Sequence, residues 1–570
     1  MTSAPSATVT AASIPGRRWR VNAWTVGTLL VAALVAAPVI AVGVLAASPS
    51  DDIWQHLIST VLPGYVTTSL ILMVGVGIGT GFGGVATAWM VTMYRFPGRR
   101  VFEWALLLPL AVPAYVNAYV FTDFLEYAGP LQSMLREIFG WTSRRDYWFP
   151  EIRSVGGAIV MMTLVLYPYV YLLSRAAFLS QPACVLEVSR TLGKGPWSSF
   201  FRVALPLARP AIAVGVSLVL MEVLNDFGTV DFFAVNTFTA GIYDVWLNMN
   251  STSGAAQLAM VLLLFVVGLI VIERRSRRDQ RFHQTTTRYK SLPAQPLGPW
   301  AGTLASIICA LPIVLGFVFP AIILGGYALE HYEVTLEGDF LRYTWNSLAL
   351  SGASALIAVA VGVFLAYGVR MGGGGATTIG ARVASLGYAV PGAVLAVGVI
   401  VPMAALDNGI DGFMRSTFGI PTGLLLSGTV VAVGYGYLVR FLALSYGASE
   451  SGLARITPGM DGAARTLGAT PLGVLRRVHL PMLRGSLLTG GILVFVDCMK
   501  ELPMTVILRP FNFETLATFV HQYASDELLE ECALGALAIV AVGVLPVIFL
   551  SRSLRGLRPD ADEATTGEPA

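Results

Sequence analysis

The chain is short of charge. Of its 570 residues only 12% are Asp, Glu, Lys or Arg, about half of the roughly 25% that soluble domains carry. So few charges cannot cover a string of water-exposed domains. Cysteine is scarce as well: Cys184, Cys309, Cys498 and Cys532 lie far apart, with no C-x-x-C. That spacing rules against a disulfide frame or a zinc knuckle, and small residues in apolar helices are expected instead. No G-x-x-x-x-G-K-[ST] occurs; the nearest pattern, Gly193-Lys194-Gly195, lacks the hydroxyl residue. The chain is therefore not expected to cradle nucleotide phosphates itself. No His/Cys/Asp cluster and no nucleophile–base arrangement gathers at one depth, so neither a catalytic set nor a fixed metal site is expected. A nucleic-acid partner is not expected either.

What the chain has is apolar residues, 55% of the total. Runs of about 18 or more read as membrane spans. They fall near 24–46, 67–94, 101–122, 155–179, 208–228 and 255–273, then near 300–327, 346–370, 383–405, 421–444, 484–504 and 533–551. The reading is an all-α polytopic membrane protein with about twelve helices in two groups of six. The first run, Ala23 to Ala47, exceeds the apolar core of a cleaved signal peptide, about 7–15 residues, and is read as a retained span bathed in membrane lipid.

Basic clusters follow the second span (Arg95, Arg99, Arg100), the fourth (Arg175, Arg190, Lys194, Arg202) and the sixth (Arg274, Arg275, Arg277, Arg278, Arg281). They return after the tenth (Arg455, Arg465, Arg476, Arg477) and the twelfth (Arg552, Arg555, Arg558). Lys and Arg concentrate on the cytoplasmic side, which places both termini in the cytoplasm.

The two groups repeat. R-T-L-G occurs at Arg190–Gly193 and again 275 positions on, at Arg465–Gly468. With the same offset, L-V-L-M-E-V-L-N-D (Leu218–Asp226) falls on L-V-F-V-D-C-M-K-E (Leu493–Glu501); A-V-P-A at Ala111 falls on A-V-P-G at Ala389 with a slightly larger one. An even number of spans per half gives parallel halves related by an axis along the membrane normal. The expected layout is a tail (1–23), a first half (24–273), a basic linker (274–299), a second half (300–552) and a tail (553–570).

Each R-T-L-G sits in a loop on the basic side, about 180–207 and about 455–482. Val185–Leu192 has the apolar spacing of a short amphipathic helix. Gly193 follows it, as glycine commonly does past a helix end. Val203 then leads to Leu205-Pro206, and Val478 to Leu480-Pro481. Two such loops on one face of two parallel halves suit a two-fold docking partner.

The spacing of Glu187, Gly193, Val203, Leu205 and Pro206 resembles the E-A-A-x3-G-x9-I-x-L-P loop of ABC-importer permeases. The fused two-by-six layout, with D-F-G-T-V (Asp226–Val230), K-E-L-P-M-T (Lys500–Thr505) and L-R-P-F-N-F-E-T-L-A (Leu508–Ala517), is most similar to ferric iron(III) permeases. The resemblance implies a type I ABC-importer-like fold, multi-pass in a bacterial inner membrane. It implies a coupling role for Glu187, Arg190, Gly193, Leu205 and Pro206, and for Asp461, Ala463, Ala464, Arg465, Gly468, Leu480 and Pro481. It also implies two copies of a cytoplasmic ABC ATPase, which would carry the ATP and magnesium, and a periplasmic or lipid-anchored substrate-binding protein. Two departures stand out. Val188-Ser189 replace the first Ala-Ala, and in the second loop Gly462 takes the glutamate slot, with Asp461 one place early.

Within the spans, Glu222 and Asp226 are four apart and share a helix face; Asp497 and Glu501 repeat them. A charge at the centre of a span costs roughly 2.5–3.5 kcal/mol on insertion scales. The four acids therefore either line the outer part of a translocation path or are held structurally, with Lys500 or Arg509 as neutralising partners. His521, Tyr523 and Asp526, in the outer loop before the twelfth span, could be read as iron ligands, but docking or plain loop residues are the expectation.

An ion-coupled secondary transporter is the alternative of another class, but it has no need of docking loops. Thiamine, polyamine, phosphonate, sulfate or molybdate are alternative cargoes within the resembled class. Acidic pairs favour a cation, because anion paths favour basic groups and helix N-termini.

Overall fold

The computed structural model describes residues 23–49, 53–181, 191–193, 195–278, 295–372 and 374–555. Glu187, Arg190, Cys184 and most of the linker lie outside them.

In lipid every backbone N–H and C=O must be satisfied within the protein, so apolar runs become helices. Among the described residues eleven helices are long and apolar enough to cross a membrane. They are α1 (Ala23–Ala46), α2 (Leu57–Met93), α3 (Val155–Ser180), α4 (Pro196–Asn225), α5 (Thr252–Glu273), α6 (Pro299–Leu336), α7 (Phe340–Met371), α8 (Gly392–Phe418), α9 (Val430–Ala454), α10 (Pro471–Met499) and α11 (Leu529–Ile548). A twelfth crossing exists only if the pair Arg99–Ala111 and Ala114–Phe139, bent by 88°, is taken as one span. The molecule is a polytopic all-α membrane protein. Among the described residues its strand content is one two-residue parallel pairing, Tyr94–Arg95 with Gln295–Pro296.

The run read as one span at 101–122 is thus broken, and the cause is local. Proline pushes the residue before it out of the helical region. Val112 is extended (φ −91°, ψ 121°) and the next helix starts after Pro113. The second half repeats this at Val390 (φ −86°, ψ 126°) and Pro391, ahead of α8. The A-V-P repeat is a repeated helix break.

A second pair of breaks ends the spans read at 208–228 and 484–504. α4 stops at Asn225 and is followed by short helices Gly228–Phe232 and Phe238–Leu247. α10 stops at Met499 and is followed by Pro503–Leu508 and Leu516–Ser525. At the other end of both helices a π turn, Phe200–Ala204 or Leu475–His479, precedes the Leu-Pro pair. Each proline there lies in the first turn of a helical segment, where it has no N–H to lose.

The halves interlock. α1 packs on α8 and on helix Gly375–Ala384 of the second half. Trp24 packs against Phe364 and Tyr367, and the Thr25 and Thr377 hydroxyls lie 2.9 Å apart. Conversely, the middle of α6 lies against the first half: Asn117 donates to the Gly316 carbonyl at 3.3 Å, and a side chain at Gly316 would strike Pro109. The later turns of α6 then return to α11. The first span of each half is thus shared with the other. Cys309, Cys498 and Cys532 are free and buried.

Candidate functional site

The two sets of breaks meet at a cavity of about 110 Å³. Glu222, Asp226, Asp497 and Glu501 all line it. So do symmetry-related pairs 275 positions apart: Val165 with Arg440, Leu166 with Phe441, Asn225 with Lys500, Phe227 with Leu502. Val165 and Leu166 pair outside the acid-bearing stretches and fall at equivalent places, on α3 and α9, and Leu110 with Tyr388 pairs at the larger offset of the A-V-P repeat. A cavity lined by equivalent positions of both halves lies on their pseudo-two-fold axis. From Leu205 to Glu222 the chain climbs 17 residues, about 25 Å at 1.5 Å per residue. The cavity is therefore far from the R-T-L-G loops.

The four acids are not alike. Asp226 accepts from the Thr229 N–H at 3.0 Å, the Thr229 hydroxyl at 3.0 Å and the Val230 N–H at 3.2 Å. It supplies acceptors to the orphan donors at the start of the short helix Gly228–Phe232. Glu501 does the same for Pro503–Leu508, accepting from the Met504 N–H at 3.2 Å. Glu501 also receives Arg440 at 2.8 Å, with both side chains almost fully buried. Asp497 pairs with Lys500 at 2.9 Å. Glu222 has the Tyr388 hydroxyl, at 3.4 Å; among the described residues no Lys or Arg nitrogen lies within 4.0 Å of it.

Of the two cations offered as partners, Lys500 is one. Arg509 pairs with Glu514 instead, because the chain turns away after helix Pro503–Leu508. Sequence reasoning missed Arg440. Its signal was available: an arginine inside an apolar span is costly and must be matched. Its partner, 61 positions away, could not be read from spacing. Gly392 makes room for the pair, since a Cβ there would meet the Arg440 guanidinium at 2.4 Å and the Glu501 carboxylate at 2.7 Å. Asn225 ties the halves together by accepting from the Gly392 N–H at 2.7 Å.

His521, Tyr523 and Asp526 belong to one element. Helix Leu516–Ser525 carries the first two, and Asp526 closes it. The His521 ring turns towards the first half, with Nδ1 at 2.7 Å from the Tyr119 hydroxyl and Nε2 at 3.6 Å from the Asp231 carboxylate. His521 therefore joins the halves beside the cavity, which it does not line.

At the opposite end, the second loop is described in full. Helix Pro458–Thr466 carries Asp461, Ala463, Ala464 and Arg465. Ala464 is buried, and Ala463 and Arg465 are exposed. Asp461 turns inward. It receives Arg370 at 2.8 Å and the His479 Nε2 at 2.7 Å, while Arg370 also donates to the Leu453 and Ile456 carbonyls at 2.6 and 2.9 Å. Burial works to raise the Asp461 carboxyl, but the hydrogen bonds and charges of Arg370 and His479 outweigh it and hold it below the usual carboxylate range. Asp461 thus locks the loop helix to α7 and to the start of α10. Gly193 and Gly468 have φ of 72° and 82°, the left-handed region that favours glycine. The leucine before each is exposed: Leu192 by 71% and Leu467 by 88%. Leu205-Pro206 and Leu480-Pro481 follow the π turns of α4 and α10 and open their long α-helical stretches.

Residues 75–278 match the family described as "Binding-protein-dependent transport system inner membrane component". The chain is 25% identical over 493 residues to the Fe(3+)-transport system permease protein FbpB 2 of Haemophilus influenzae, covering 85% of this chain and 89% of that one. It is 27% identical over 235 residues to the molybdenum transport system permease protein ModB of Escherichia coli, covering 40% of this chain but 95% of ModB. A sulfate transport system permease protein, CysT of Escherichia coli, is 30% identical over 177 residues, 31% of this chain and 60% of CysT. A relative matched almost whole by two fifths of the chain accords with a polypeptide built of two permease halves. Over residues 75–278 the chain matches the binding-protein-dependent transport inner-membrane components, and over most of its length this multi-pass membrane protein is similar to ferric-iron permeases.

Proposed function

We propose that this chain forms the translocation path of an ATP-driven importer for iron(III). The observation that carries the reading is the axial cavity, in which both halves present carboxylates to one space. Carboxylate oxygens suit hard cations, and a path must hold its ion weakly enough to release it. The similarity to ferric permeases over 85% of the chain narrows the cation to iron. ATP and magnesium sit on two copies of a cytoplasmic ATPase, which dock on the paired loops around Leu192–Gly193 and Leu467–Gly468. A binding protein delivers the ion from the other side. Both termini lie with the ATPases.

The Asp461–Arg370–His479 lock gives the loop a stiff connection to α7 and α10, and α10 ends at the cavity. Closure of the ATPases is thereby transmitted along α10 to Asp497 and Lys500.

The test is uptake of radiolabelled iron(III) into proteoliposomes holding this chain, its ATPase and its binding protein, with thiamine, putrescine and molybdate in parallel. Iron accumulation that requires ATP is expected. Accumulation of another solute discards iron, and accumulation independent of ATP discards the ATPase.

A further inference from the structure

The cavity holds two acids that neither cap a helix nor pair with Arg440: Glu222 and Asp497, symmetry mates on α4 and α10. Among the described residues only one of them has a cation in contact. Lys500 sits 2.9 Å from Asp497, whereas the equivalent residue beside Glu222 is the neutral Asn225, engaged with the Gly392 N–H. The Arg440–Glu501 pair is almost fully buried. The Lys500 and Asp497 side chains are less enclosed, 28% and 19% exposed.

Two further side chains are poised at the same space with unmet hydrogen bonds among the described residues. Tyr115, 5% exposed, has a hydroxyl with no hydrogen-bond partner; Arg440, 6% exposed, has an unpartnered Nε. Buried polar groups are normally satisfied, so these two retain hydrogen-bonding capacity for a ligand or water in the cavity.

We propose that Lys500 is a tethered counter-ion that occupies a cation site formed by Glu222 and Asp497, and that a multivalent cation binds there by displacing it. This deepens the reading of the chain as a cation permease and rests on it. Two carboxylates facing one space repel each other and favour a bound cation. A lysine is suited to the resting role, because its ammonium is a point charge on a flexible four-carbon stem. When a trivalent ion enters, the ammonium swings from Asp497 and no covalent bond changes. When the ion leaves, the ammonium returns, which keeps affinity low enough for release. A lysine on one side of the two-fold axis and an asparagine on the other make the site asymmetric: Glu222 is open for first contact and Asp497 is released second.

The test uses the full complex of this chain with its ATPase in lipid nanodiscs without nucleotide, and terbium(III) as the probe. Binding is followed by luminescence sensitised through the cavity tyrosines Tyr169 and Tyr388. Lys500→Gln is expected to tighten terbium binding about tenfold, which is about 1.4 kcal/mol. Lys500→Arg, which keeps the charge, is expected to bind as the parent does. Glu222→Gln added to Lys500→Gln is expected to remove the gain. The proposal is overturned if Lys500→Gln binds no more tightly than the parent, or if the gain survives Glu222→Gln. Co-purification with the ATPase in parental yield separates these results from misfolding. Iron uptake by the parent complex is scored separately. Iron uptake with no Lys500 effect overturns the counter-ion alone, whereas a Lys500 effect without iron uptake keeps the site and overturns iron.

Discussion

Asp226 and Glu501 stand 275 positions apart, and each accepts the backbone N–H three residues further on, Thr229 at 3.0 Å and Met504 at 3.2 Å. The repeat in the sequence is a repeated helix start inside the membrane. For Asp226 the capping duty sets the expectation. Asp226→Ala should lower stability by about 0.5–2 kcal/mol, as loss of a cap does. Asp226→Asn keeps an acceptor and should retain most of the stability and uptake. Thermal unfolding of the two variants in detergent decides this: equal melting points for Asn and Ala would remove the cap from the account.

Glu501 has a second duty. Removing one member of a buried ion pair strands the other charge, at about 3–5 kcal/mol. Glu501→Ala should therefore destabilise more than Asp226→Ala. Replacing both members, Glu501→Gln with Arg440→Met, should recover part of the loss. A double variant no more stable than Glu501→Ala would show that Arg440 does not depend on Glu501.

Gly468→Val places a β-branched residue at φ 82°, at a cost of about 1–3 kcal/mol locally. Since the strain falls on an exposed loop, membrane insertion should survive. Uptake per ATP hydrolysed should fall, and Gly193→Val should act in the same direction. Parental ratios in both variants would dissociate the loops from coupling.

Asp461 predicts a pH dependence. Its folded carboxyl lies below the usual range, so its pairing stabilises the fold above the unfolded value, about 3.9, and that stabilisation is lost as pH falls through the lower folded value. Asp461→Asn should melt below the parent from about pH 8 down to about pH 5, and the two should converge only in stronger acid. A gap that already closes between about pH 7 and about pH 5 would contradict the lock with Arg370 and His479.

Much of the architecture was legible in the chain. Long apolar runs dictate helices wherever water is absent, and a fixed offset of 275 reveals two parallel halves. Glu222, Asp226, Asp497 and Glu501 could be picked out because charge in such runs is expensive. Their division of labour could not. Whether a carboxylate caps a helix, pairs with Arg440 or stays open depends on where α4 and α10 stop, and the breaks that set those ends read in sequence as continuous apolar spans.

Local composition and periodicity thus determined the helices, the repeat and the sites of buried charge, because lipid leaves the backbone no alternative and penalises every unmatched ion. The tertiary structure alone decided the sharing of first spans between halves, the meeting of Arg440 with Glu501, the inward turn of Asp461 and the position of Glu222, which among the described residues has no contacting cation. Each of these depends on residues distant in sequence, set by how the helices pack, and no spacing along the chain encodes it.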